Sequence, residues 1–273
     1  MSLSSKWVRY GQNDEYLGYV AHPERVPGTL PAVIVIQEIW GVDQHIQNVA
    51  DRFAEAGYVA FAPDLYAKNG ERPEALATQR VDKVKAFLET VPPTVWNQPD
   101  ERDKAIGALP EPDRTQVKTT FGTLFGGMNL DAHMPQLRAT VAYLHNTCEH
   151  SRGQKVGSVG FCMGGGLSGL LACQEPSLGG AVIFYGSRPG ADQVKNVHCP
   201  VMGFYASLDP RITDAVPDLS ADMAAAGKEF TYRVYEGAHH AFFNDTRASY
   251  NPDAARDAFA KTLQFFNEQL AQA

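Results

Sequence analysis

Gly160-Phe161-Cys162-Met163-Gly164 sets a thiol between two glycines, directly after the strand-like run Val156-Gly157-Ser158-Val159. The pattern is G-x-S-x-G with cysteine in place of serine, the signature of a nucleophile elbow, in which a strand turns sharply into a helix and exposes the nucleophile at the bend. Glycine on either side lets the backbone make that bend without a side-chain clash. Gly164-Gly165-Gly166 and the apolar run from Leu167 continue as the helix. The positive end of its dipole would then face the sulfur and any oxyanion formed beside it. A buried structural cysteine is the plainer reading of a lone thiol, but it does not account for the glycines on both sides.

A thiol nucleophile needs a base, the base needs an orienting acceptor, and the developing oxyanion needs fixed donors. Asp209 follows the candidate strand Val201–Tyr205, and His240 follows Tyr232–Tyr235. The chain order of nucleophile, acid and histidine is one used by strand-turn-helix hydrolases. Asp214 and Asp218 compete with Asp209 but lie further from the strand end, and position alone does not separate His240 from His239. The oxyanion donors would be the backbone N–H groups of Met163, just after the thiol, and of Ile39, at the end of the first central strand. Glu38 is the odd neighbour, because a carboxylate beside those donors opposes developing negative charge unless it is turned away or engaged elsewhere.

These residues need a sheet to hold them. Ala32-Val33-Ile34-Val35-Ile36 and Gly180–Phe184 are continuous apolar runs of the kind that form parallel strands covered on both faces. Ile46, Val49, Ala50 and Phe53 fall at helical spacing between the first of these runs and the strand Tyr58–Phe61, giving the order strand, helix, strand. Trp7–Tyr10 and Tyr16–Ala21 flank a polar turn and predict an edge hairpin, while Ala255 to Leu270 marks a closing amphipathic helix. In such sheets ligands collect at the carboxyl ends of the strands, where Glu38, Trp40, Tyr66 and Cys162 all fall. The expected architecture is α/β, a mostly parallel central sheet with helices on both faces, in a single domain over residues 1–273. Residues 70–130 are rich in proline and glycine, and their length predicts a partly helical cap or excursion. Asp131 is the expected start signal for the helix that carries Leu137, Thr140, Val141 and Leu144.

The bulk numbers narrow the function. With a formal net charge of −7 and no Lys/Arg cluster, the chain offers no phosphate track for nucleic acid. No apolar run reaches membrane-spanning length, and the N-terminal residues lack a signal-like apolar core, so a soluble cytoplasmic protein is expected. The four cysteines show no metal-ligand spacing, which predicts no metal and no cofactor.

Together, Gln37-Glu38-Ile39-Trp40-Gly41, Pro63-Asp64-Leu65-Tyr66, Gly160–Gly165, Asp209 and Gly237-Ala238-His239-His240-Ala241-Phe242 give the sequence a resemblance to the dienelactone hydrolase family. The resemblance implies an α/β-hydrolase fold and a Cys162-His240-Asp209 triad that cleaves a small lactone or ester through a thioester. It also implies that Glu38 gates the nucleophile, contacting the resting thiol and swinging away when substrate binds. Ala241-Phe242 after the histidine is what favours His240 over His239. One departure concerns the substrate: family members that take dienelactone hold its carboxylate with arginines, one of them four residues after the histidine, where this chain has Asn244. Arg80, Arg188, Arg211 and Arg247 are the candidates to replace it. Trp40, Tyr66, Phe161 and Phe242 are the expected pocket lining, suited to an aromatic or cyclic ester, in a monomer or small homo-oligomer. The competing reading is a catalytically silent member of the fold that binds or senses a small molecule.

Overall fold

The computed structural model describes residues 2–127 and 129–271. Strands β1 (Leu3–Tyr10) and β2 (Tyr16–Pro23) form an antiparallel hairpin. After them come β3 (Ala32–Ile36), α1 (Gln44–Glu55) and β4 (Val59–Pro63). Helices α2 (Thr78–Glu89), α3 (Pro99–Gly107) and α4 (Asp113–Phe125) precede α5 (Met134–Asn146). The chain continues through β5 (Val156–Phe161), α6 (Met163–Gln174), β6 (Leu178–Phe184), α7 (Ala191–Val194) and β7 (Val201–Ala206). Helices α8 (Pro210–Thr213) and α9 (Val216–Ala225), strand β8 (Phe230–Tyr235) and helix α10 (Pro252–Leu270) complete it.

Eight strands make one sheet in the order β1-β2-β4-β3-β5-β6-β7-β8. From β4 to β8 every neighbouring pair is parallel, and the hairpin is joined antiparallel through β2 and β4. This is the mostly parallel α/β sheet expected from the apolar runs, and it has the architecture that the α/β-hydrolase resemblance implies. Side chains alternate across it: Val33, Val35, Val159 and Phe161 share one apolar cluster with Ile46, Val49 and Phe53 of α1 and Phe265, Phe266 and Leu270 of α10. On the opposite face Ser158 meets Ser168 of α6 through a 2.8 Å hydroxyl pair. Each large apolar side chain buried this way contributes roughly 1.5–3 kcal/mol, so the strand-helix sandwich is a stiff base for its loops.

The register brings the strand ends level. Ile36 pairs with Gly160, Phe161 with Phe184, Phe184 with Phe204, and Ala206 with Tyr235. The residues just beyond these ends, among them Glu38, Cys162, Tyr185, Asp209 and His240, therefore leave the sheet at one rim.

The chain divides into two compact units, Met1–Leu65 with Leu130–Ala273, and Tyr66–Asn129. In the second, Val81, Val84, Phe87 and Leu88 of α2 and Val117, Phe121 and Leu124 of α4 are buried. Lys83 joins these helices by reaching Asp113 at 2.5 Å and Gln116 at 2.8 Å, and Arg102 lies over the Phe121 ring at 4.6 Å. The prolines that obscure this segment in the sequence sit at helix starts, Pro99 in the first turn of α3 and Pro112 just before α4, where a missing N–H costs nothing. The start of α5 differs from expectation: Asp131 lies in a short 3-10 turn, Leu130–His133, and His133 is the residue that precedes the helix.

Candidate functional site

The elbow is built by close backbone packing. Cys162 has φ 56° and ψ −113°, a strained conformation for a residue with a side chain. It is pinned by its own N–H to Phe184 O at 3.0 Å and by Gly165 and Gly166, whose N–H groups donate to its carbonyl. The flanking glycines are required by space. A Cβ on Gly160 would sit 1.8 Å from Gly164 O, and one on Gly164 would sit 2.3 Å from Ile36 O. Met163 is the first residue of α6, so its N–H is one that the helix itself does not use. Ile39 is buried at the end of β3, on the strand adjacent to β5.

Asp209 leaves β7 as the residue before α8 and is 4% exposed. Its Oδ2 lies 2.5 Å from His240 Nδ1, so the carboxylate accepts the imidazole N–H. The Cys162 side chain also acts on the imidazole, raising its basicity. Burial alone would lower the basicity of His240, but the bond to Asp209 and the contact with Cys162 outweigh it and push the pKa up to about 10. His239 is exposed, so of the two adjacent histidines it is His240 that the loop turns toward Asp209 and Cys162. The loop is fixed behind it. Asn251 caps α10 by accepting from Ala254 N–H, and its own N–H donates to Phe242 O at 2.9 Å. Asp214 and Asp218 lie beyond, at the end of α8 and in the first turn of α9.

Glu38 is engaged elsewhere, as a carboxylate at this position must be. It is 2% exposed, its Oε1 accepts from the Tyr185 hydroxyl at 3.2 Å, and its Oε2 accepts from Asn244 Nδ2 at 2.7 Å. Asn244 is itself fixed, because its Oδ1 accepts from both the N–H and the hydroxyl of Thr246, at 3.0 and 2.7 Å. Tyr185 also packs edge-on against the His240 ring, centroids 5.1 Å apart. Burial first, and then the charge of Glu38, hold its phenol protonated far above the usual tyrosine range. Sequence reasoning did not single out Tyr185. The one signal was its place just after a parallel strand, on the rim that carries Cys162.

Comparison with known proteins gives this site its context. A family model described as "Dienelactone hydrolase family" matches residues 17–270. The chain belongs to the dienelactone hydrolase family. A relative from Saccharolobus solfataricus with the name "Putative carboxymethylenebutenolidase" is 33% identical over 86% of this chain and 88% of its own length. One of the same name from Yersinia pestis is 29% identical, over 94% of this chain and 85% of that protein. The crystal structure of a "Putative Dienelactone Hydrolase" from Klebsiella pneumoniae subsp. pneumoniae MGH 78578 superposes with a TM-score of 0.74 at 25% identity, covering 98% of this chain and all of the other. The protein is a hydrolase of this family.

Within that family the surroundings of Cys162, Asp209 and His240 take on meaning. Asn244, at the place of an expected arginine, is spent on Glu38 and Thr246. Arg188 pairs with Asp222, Arg80 with Glu74 at 2.7 Å, and Arg211 is exposed at the start of α8. Arg247 is half-buried with its guanidinium 5.4 Å from the Trp40 ring centroid. Of the four residues expected to line a pocket, Trp40 is 6% exposed beside Ile39. Phe161 and Phe242 are wholly buried in an aromatic cluster, Phe161 stacked on Phe243 at 5.2 Å and Phe242 edge-on to Tyr185 at 5.3 Å. Tyr66 is half-buried and opens the Tyr66–Asn129 unit. Among the described residues no cluster of three or more potential metal ligands occurs, and no helix is long and apolar enough to cross a membrane.

Proposed function

We propose that the protein hydrolyses a lactone or carboxylic ester through a thioester on Cys162, with His240 as general base and acid and Asp209 as its orienting acceptor. The observation that carries this reading is His240 itself, which spans a buried carboxylate and a strained, glycine-flanked thiol with one imidazole. An imidazole so placed could take the thiol proton on its second nitrogen while Nδ1 stays on the carboxylate.

In the reaction, Cys162 Sγ gives its proton to His240 and attacks the substrate carbonyl carbon, forming a C–S bond. The carbonyl electrons move onto oxygen, toward the N–H groups of Met163 and Ile39. Collapse of this tetrahedral species breaks the C–O bond, and His240 returns the proton to the departing alkoxide. In a lactone that alkoxide stays tethered to the acyl chain. A water molecule then gives a proton to His240, attacks the thioester carbon and releases the carboxylic acid, and the thiol recovers its proton. Glu38, held by Tyr185 and Asn244, stands beside the hole as the group whose movement would gate the sulfur. The cap or excursion expected over residues 70–130 falls almost wholly in the Tyr66–Asn129 unit. All four thiols are free, which suits the cytoplasm.

The test is turnover of p-nitrophenyl butyrate by wild type and Cys162→Ala, each before and after iodoacetamide, with mass spectrometry locating the modified residue. Cys148, Cys173 and Cys199 are buried, and burial pushes the Cys173 thiol up to about 11 and the Cys199 thiol up to about 12, so alkylation should be confined to Cys162. The expected result is activity that disappears on modification of Cys162 and is absent from the alanine variant. Equal inactivity of both proteins with Cys162 unmodified would favour the silent binding protein instead.

A further inference from the structure

Glu38 is buried against the site, and both of its oxygens are held by neutral donors. Tyr185 supplies a phenol and Asn244 an amide, and the opposite end of that amide is fixed by Thr246. Among the described residues no lysine, arginine or histidine forms an ion pair with Glu38, whereas Asp209 faces His240. A proton passing between Cys162 and His240 does not change the summed charge of those two groups. Cys162, His240 and Asp209 together therefore carry one net negative charge wherever that proton stands, and Glu38 adds a second that no cation faces. Glu38 lies one residue before Ile39, and the Tyr185 ring that holds it also touches His240.

We infer that the buried Tyr185-Glu38-Asn244 clamp makes the acyl site selective for uncharged esters and lactones, and that it rejects substrates carrying a carboxylate near the scissile carbonyl. This deepens the hydrolase reading and rests on it. Glu38 is the specificity-determining charge, and Tyr185 and Asn244 are positioning residues that keep it in place. With like charges about 7 Å apart at an effective dielectric of about 20, the repulsion amounts to a factor on the order of 50.

The experiment compares two alkylating reagents of similar size at Cys162: neutral iodoacetamide and anionic iodoacetate. Each rate is normalised to that of the same reagent with glutathione, and mass spectrometry confirms the site. Wild type should favour iodoacetamide by about 10- to 100-fold. In Glu38→Gln, which keeps the side-chain shape, the preference should fall by about fivefold or more. Unfolded chain would bring the ratio to one by itself, so each variant is first shown to be folded by circular dichroism and the rates are taken from the folded fraction. Asn244→Arg, which adds the missing cation, should narrow the ratio as well.

A wild-type ratio near one, or a ratio unchanged by Glu38→Gln, overturns the inference. So does a preference for iodoacetate. If Arg247→Gln abolished that preference, the anion would be received at the Trp40-Arg247 stack. Alkylation needs no turnover, so the ratio stands apart from the hydrolase reading, which fails instead if p-nitrophenyl butyrate is not cleaved. Resistance of Cys162 to both reagents would overturn the two together. Where turnover occurs, p-nitrophenyl butyrate against p-nitrophenyl monosuccinate should show the same discrimination in kcat/KM, and Glu38→Gln should narrow it.

Discussion

Asp209→Asn is the perturbation that tests the triad most directly, because it removes a charge and almost no volume. The carboxylate sits 2.5 Å from His240 Nδ1 and is 4% exposed, so bulk water cannot replace it. Asparagine can present its carbonyl to the N–H and keep the ring in place without the charge. It can also present its amide, which donates to Nδ1 and forces the proton onto the other ring nitrogen. Either way the imidazolium loses the largest of the contacts that hold the His240 pKa up to about 10 against the lowering effect of burial. The pKa should fall toward or below the ordinary histidine value of about 6.5. A base that is both weaker and part-time in the wrong tautomer should lower kcat/KM by roughly 10²- to 10⁴-fold. The assay is kcat/KM for p-nitrophenyl butyrate from pH 5 to 10.5, with the rate of Cys162 alkylation by iodoacetamide measured over the same range. Circular dichroism confirms that the variant is folded. In wild type a limb belonging to His240 should lie near pH 10, and in Asp209→Asn it should move down by at least one unit. A variant that keeps kcat/KM within about threefold of wild type, with its alkaline limb unmoved, would refute the reasoning and leave Asp209 as a packing residue.

Two further outcomes follow from the same geometry. The folded pKa of His240, about 10, lies above the unfolded value of about 6.5. The stability this group contributes is therefore fully present below about pH 6.5 and lost as pH rises through about 10. Urea midpoints under reducing conditions should fall between pH 6 and pH 10 in wild type, and fall less in His240→Gln. Equal slopes would remove His240 from the linkage. Gly160→Ala would place a methyl 1.8 Å from Gly164 O, an atom of the elbow that cannot swing away, so the loss should exceed the usual overpacking cost of about 1–3 kcal/mol. Gly107→Ala at the end of α3, where nothing lies within 4 Å, should change the urea midpoint little and serves as the control.

The sheet was legible, and Cys162, Asp209 and His240 stand out as candidates, because their patterns are written locally. Continuous β-branched runs identify strands covered on both faces, and Gly160, Gly164 and Gly165 stand where only glycine fits, since a side chain would run into backbone. The choice between His239 and His240 comes from the resemblance at Ala241-Phe242, since position alone does not separate two adjacent histidines. In the structure the bend at Ala241, φ 62°, turns one histidine inward and leaves the other in solvent. Phe161 and Phe242 are expected in the pocket because they neighbour Cys162 and His240 in the sequence. Strand alternation sends Phe161 instead into the cluster with Val33, Val159 and Phe184, and Phe242 packs beside it on Tyr185 and Tyr235. The clamp on Glu38 was invisible for a different reason. Tyr185 and Asn244 stand 147 and 206 residues from Glu38 in the chain, and a buried tyrosine or asparagine announces no partner in sequence. Between residues 66 and 129 the helices were hidden by proline, whose meaning changes once it is seen in a first turn.

Backbone strain offers an independent argument that these residues act together. Among the described residues five non-glycines have clearly positive φ: Asp14, Asn69, Cys162, Tyr185 and Ala241. Asp14 and Asn69 are of the types that tolerate the left-handed region, and turns account for them. Cysteine, tyrosine and alanine do not share that tolerance, and each such residue costs on the order of 1–3 kcal/mol. All three lie at the site. Cys162 is the thiol, Tyr185 holds Glu38 and touches His240, and Ala241 sets the turn that aims His240. Each is pinned by main-chain hydrogen bonds, Cys162 N to Phe184 O at 3.0 Å, Tyr185 N to Phe204 O at 2.8 Å and Asn244 N to Ala241 O at 3.0 Å. A fold that needed only stability would relax such positions one at a time. Their concentration at one rim, each overdetermined by its neighbours, is what a site must have when three side chains from separate strands have to meet before substrate arrives.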